Sequence, residues 1–182
     1  DWVDKHKLPI WIAAYGPKAL KMAGEVGDGL VVQLADPGLC SWFSEQAIAA
    51  GKAAGRDMKD YRVLSCAPVW IGDFEKGVQQ TKWFPALVGN HVADIVEKYG
   101  EESDLVPESL TAYIEARRAG GAGGDAYNYR QHADKDSDNT YYITPEITAS
   151  FGIIGPVEKH VEKIKELEAA GVAVERGTAD EA

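Results

Sequence analysis

Two stretches of this sequence set a Gly-Pro pair between an apolar run and a helix-like one: Ala13-Ala14-Tyr15-Gly16-Pro17-Lys18 and Ile153-Ile154-Gly155-Pro156-Val157. The chemistry open to such a turn is anion binding. The first N–H groups of a helix lack intrahelical acceptors and carry a partial positive charge. Glycine lets a ligand approach the backbone, and proline suits the first helical turn, where its missing N–H costs nothing. A phosphate fits there, and Lys18 and Lys159 would add charge. Gly-Pro is equally the ordinary way to turn a strand into a helix, and spacing alone does not choose between the two.

Other chemistry-bearing residues point less sharply. Asp134-Lys135-Asp136-Ser137-Asp138-Asn139 opens like a calcium loop, with acids at alternate positions. The sixth position should be Gly and is Asn139, and the twelfth should be Glu and is Pro145, so a solvated acidic loop is the better reading. His6, His91, His132 and His160 form no HExxH and no metal-ligand spacing. His160 falls among charged residues of a helix and is expected to be exposed; His91 and His132 are candidates for proton handling, or plain structural histidines. Trp83, Phe84, Tyr127, Tyr129, Tyr141 and Tyr142 either cover a flat ring or supply packing area. The sequence has no P-loop and no Gly-x-Ser-x-Gly elbow, and Gly120-Gly121-Ala122-Gly123-Gly124 follows no strand, so it is a linker rather than a dinucleotide fingerprint. No catalytic residue and no metal site is identified.

The elements that must hold these turns alternate. Leu8–Ala14 is a continuous apolar run, expected of a strand buried on both faces. Lys18–Val26 reads as a helix with Ala19, Leu20, Ala23 and Val26 on one face, ended by Gly27-Asp28-Gly29. Leu30–Leu34 is a second strand. Asp36-Pro37 caps a helix that runs to about Ala54, closed by Gly55. Tyr61–Ile71 is a third strand region, broken near Pro68. Phe74–Tyr99 and Pro107–Arg118 read as helical, and Ala126–Asn139 as irregular. Phe151–Ile154 is strand-like. Val157–Ala170 is an amphipathic helix with Val157, Val161, Ile164 and Leu167 along one face and Gly171 as C-cap. Strand and helix in this alternation predict parallel α/β architecture, in one domain over 1–182 with an insertion at 74–149.

With 182 residues the chain has room for one sizeable core. It is 45% hydrophobic and 26% charged, with a net charge of −10 that repels nucleic-acid phosphates and acidic membranes. No apolar run approaches the roughly 20 residues of a membrane span. Two cysteines, Cys40 and Cys66, point to a reducing, cytoplasmic compartment without deciding whether they pair.

Pro9–Leu20, followed by Ala23-Gly24-Glu25-Val26-Gly27-Asp28-Gly29, resembles the mid-chain signature of the luciferase-like monooxygenase superfamily. Phe151–Glu158, running into a helix that ends Ala169-Ala170-Gly171-Val172, resembles its late signature. Trp83–Val92 resembles the subgroup classed as F420-dependent oxidoreductases. The resemblance covers about residues 1–172. It implies a (β/α)8 barrel that holds FMN or coenzyme F420 at the carboxyl ends of its strands. The turn of Ala14, Tyr15 and Gly16 would meet the cofactor phosphate through backbone N–H groups, with Pro17 beside it in the same cofactor-binding turn, and Gly155 would be a second contact. It also implies hydride transfer on a small organic substrate.

A complete barrel needs about 250 residues. The chain starts at Asp1 without an initiator Met, and it turns polar after Val172 where the family continues into an apolar strand. A partial barrel, its C-terminal half, is therefore expected. Its open sheet edges and apolar faces predict either poor stability of the chain alone or self-association. The competing expectation is a non-catalytic barrel half that binds a phosphate-bearing ligand or a partner chain; a calcium-binding module is a third.

Overall fold

The computed structural model describes residues 8–89, 108–119, 129–131, 134 and 136–173. Strand β1 (Trp11–Ala13) leads into helix α1 (Pro17–Val26), then β2 (Gly29–Val32), α2 (Pro37–Ala53) and β3 (Arg62–Ser65). The three strands form one parallel sheet in the order β1-β2-β3, with Ile12 beside Leu30 and Leu30 beside Val63. Val172 continues it, bridging in parallel to Val63. Each connection is a helix because parallel neighbours need a crossover. The expected α/β reading holds.

The chain leaves this sheet near Pro68, as the break in the third strand region predicts. Strand β4 (Val69–Ile71) pairs in parallel with β5 (Ile153–Gly155), and α3 (Phe74–Thr81) packs against both. Residues 83–89 are helical, α4 is Glu108–Ala119, and short 3-10 turns cover Tyr129–Gln131 and Asp138–Thr140. Helix α5 (Pro145–Phe151) precedes β5, and α6 (Val157–Ala169) follows it. Residues 90–107 and 120–128, which include His91, the glycine-rich run and Tyr127, lie outside the described residues, as do His6, His132 and Lys135.

Three sequence expectations change. Leu8 and Ile10 are each 60% exposed, because β1 is three residues long and ends the β1-β2-β3 order, so its outer side has no strand neighbour among the described residues. Phe151 belongs to a helix, not a strand: Thr144 caps α5 by accepting Ile147 N–H at 3.2 Å, Pro145 occupies its first turn, and Gly152 ends it. On the two outer helices the apolar stripe is rotated. Val26, Val157 and Val161 are exposed, while Leu20, Ala23 and Gly24 of α1 and His160 and Leu167 of α6 are buried.

The core lies between the first sheet and its helices, around Leu30, Val32, Leu39, Phe43, Val63 and Phe151. Helices α1 and α2 touch backbone to backbone. A Cβ on Gly24 would lie 1.9 Å from the Ala47 carbonyl oxygen, and one on Gly51 would lie 2.8 Å from the Gly24 carbonyl oxygen. Arg56 Nη1 donates to that same Gly24 carbonyl. Overpacking at such a crossing costs about 1–3 kcal/mol or more. Gly24→Ala should lower the unfolding free energy by an amount in that range, read as a lower denaturant midpoint, and Gly24→Val should leave little folded protein; an unchanged midpoint for Gly24→Ala would refute the close crossing.

Candidate functional site

At the carboxyl ends of β1 and β2 the chain turns twice in quick succession, and these turns carry the polar groups. Gly16 is the N-cap of α1, with φ −87° and ψ 157°, and Pro17 is its first residue. Leu20 N–H closes the first helical bond on the Gly16 carbonyl at 2.8 Å. Gly16 has no side chain with which to cap the helix, the first turn holds no acid, and no described residue accepts from Lys18 or Ala19 N–H. Donors without acceptors at a helix start, free of negative charge, fit a phosphate.

Ala14 is buried and anchors the turn. Tyr15 reaches across to β2: Gln33 N–H donates to its hydroxyl oxygen at 2.8 Å, and the hydroxyl donates to Gln33 Oε1 at 3.0 Å. Its ring meets Phe43 edge-on, with centroids 5.7 Å apart. Burial pushes the Tyr15 phenol up to about 12, against the opposing hydrogen bond from Gln33, so it remains a neutral hydroxyl.

One turn further on, Asp36 caps α2. Its Oδ1 accepts Leu39 N–H at 2.8 Å, and its Oδ2 accepts the Ser150 hydroxyl at 2.7 Å. Ala35 N–H donates to the Phe151 carbonyl at 3.0 Å. These bonds draw α5 against the ends of β2 and α2. Cys40 lies beneath, buried and unpaired, with its thiol raised to about 12 by burial and then by Asp36. Cys66, at the end of β3, is exposed and free.

Gly155 sits in the other sheet. The two Gly-Pro turns are not equivalent: Pro17 is a helical residue, whereas Pro156 is itself the N-cap of α6 and Gly155 precedes it at φ +122°, a conformation that favours glycine. The Gly155 carbonyl accepts from Gly72 N–H at 2.9 Å, and His160 Nε2 lies 3.1 Å from it and 3.0 Å from the Trp70 carbonyl. With two carbonyls facing it, Nε2 carries the hydrogen.

His160 is thus buried rather than exposed. It ties α6 to the ends of β4 and β5, where those strand carbonyls need a donor. Gly155 and Pro156 also line a groove of about 480 Å³ with Phe74, Ile153, Lys159 and Lys163. Lys159 is engaged by Glu162 at 2.7 Å, and Glu158 stands in the first turn, so this helix start is less suited to an anion than that of α1. β1 and α1 pack on β2 and α2, while β5 packs on β4, α3, α5 and α6, so the two turns follow strands of different sheets.

Sequence reasoning missed Gln33, Asp36 as a tertiary acceptor, and the His160 clamp. Gln33 carries a detectable signal: it is the one polar residue in the run from Leu30 to Ala35. Among the described residues no group of three or more His, Cys, Asp or Glu side chains is placed to hold a metal ion, and no helix is long and apolar enough to cross a membrane.

The family model described as luciferase-like monooxygenase matches residues 2–173. A 5,10-methylenetetrahydromethanopterin reductase of Archaeoglobus fulgidus is 27% identical over 91% of this chain and 46% of its own length. The corresponding reductase of Methanolobus tindarius is 40% identical over 33% of this chain and 18% of its own. Two solved structures share the fold. The coenzyme F420-dependent tetrahydromethanopterin reductase of Methanopyrus kandleri has a TM-score of 0.56 at 24% identity, over 91% of this chain and 43% of that one. An F420-dependent secondary alcohol dehydrogenase, in complex with an F420-acetone adduct, has a TM-score of 0.58 at 15% identity, over 92% and 42%. The chain therefore spans less than half the length of these relatives, and its fold is that of part of their barrel.

A thiol reagent should label Cys66 in the native protein and reach Cys40 only on unfolding; rapid labelling of both would contradict the burial of Cys40. The raised pKa of Tyr15 also sets a pH dependence. The unfolded phenol ionises near 10 and the folded one near 12, so this contribution to stability is intact below pH 10 and is lost as pH rises to 12. Cys40 adds to the same decline. Unfolding followed from pH 9 to 12 should show a fall that Tyr15→Phe makes shallower.

Proposed function

The chain belongs to the luciferase-like monooxygenase family, and from that membership we propose that it forms the cofactor-phosphate side of an F420-dependent oxidoreductase. The enzyme transfers hydride between the deazaflavin and a small organic substrate. The observation that carries this reading is the pair of barrel neighbours, both described as F420-dependent, whose likeness extends over more than nine-tenths of the chain. The Archaeoglobus reductase, alignable over a similar span, supports it. F420 rather than FMN is the choice these relatives favour, and F420 when bound supplies two-electron hydride chemistry.

The residues of this chain bind and orient. Lys18 and Ala19 N–H, opened by Gly16 and Pro17, hold the phosphate, with Ala14 and Tyr15 bracing the turn. Gly155 is the weaker candidate for a second backbone contact, since Glu158 and the Glu162 partner of Lys159 crowd its helix start with negative charge. The neutral Tyr15 phenol adds no negative charge beside the phosphate. Within an insertion at 74–149 of a single domain, the described helices at 74–89 and 108–119 would help to shape the substrate pocket. The second reading is a half barrel that binds a phosphate-bearing ligand without turnover; the Lys18 and Ala19 N–H groups, which have no acceptor among the described residues, suit a phosphate whether or not turnover follows.

Titration of the protein with F420 and with FMN, read by cofactor fluorescence, tests this. Saturable binding of F420, tighter than FMN and weakened more than tenfold by Gly16→Asp, is expected, since a carboxylate would occupy the helix N-terminus. Preference for FMN would move the assignment to the flavin branch. Binding without turnover in the complete polypeptide would favour the second reading.

A further inference from the structure

We draw no further inference here: the strongest candidate, the groove of about 480 Å³ between Phe74 of α3, Ala149 of α5, β5 and the charged face of α6, carries nothing, because its lysines, Lys159 and Lys163, are balanced by Glu162 and Glu166, so that its charge selects no ligand, and nothing in the structure shows what covers it.

Discussion

The contact between α1 and α2 is the constraint on which the described fold hangs. Both are crossover helices on one face of β1-β2-β3, and at Gly24 their backbones meet with no room for a methyl group. Strands in a sheet lie about 4.8 Å apart, while helices with ordinary side chains pack 8–10 Å apart. Removing the side chains at Gly24 and Gly51 lets the helices close over adjacent strands without splaying the sheet. The carboxyl ends of β1 and β2 are then held close enough for one tyrosine to bridge them.

That bridge closes the carboxyl edge of the sheet beside the candidate site. Past Ala13 the chain of β1 turns into α1, and Gln33 N–H would lose its ladder partner. The Tyr15 hydroxyl replaces it. Asp36 performs a similar service at the next turn, capping α2 with one oxygen and taking Ser150 with the other. Side chains thus satisfy the groups around the strand ends, while Lys18 and Ala19 N–H of α1 have no acceptor among the described residues. Cores are closed by such pairings because an unpaired buried polar group is costly; ligand sites are the places where a donor remains available.

Much of this was legible. Asp36-Pro37 announces its helix because a capping carboxylate followed by proline has few other uses, and the structure shows that cap. Gly55 and Gly171, both at positive φ, end their helices as expected. The apolar Leu30–Leu34 run becomes a buried central strand. His160 was misread because local sequence shows only its charged neighbours; what buries it is a pair of carbonyls from Trp70 and Gly155, one of them 90 residues away. The stripe on α6 was misjudged for a related reason. Helical periodicity tells which residues share a face, but the partner element decides which face turns inward.

The sequence by itself determined the alternation of strand and helix, the parallel pairing that short crossovers impose, and the family. Each of these follows from local propensity, periodicity or a motif contained within a few residues. Only the tertiary structure decided that the two Gly-Pro turns differ, that Tyr15 locks Gln33, and that Asp36 holds Ser150 from 114 residues away. Those facts depend on which carbonyls and N–H groups are left over once the sheets have paired. Such a remainder belongs to the assembled backbone and is written in no single segment.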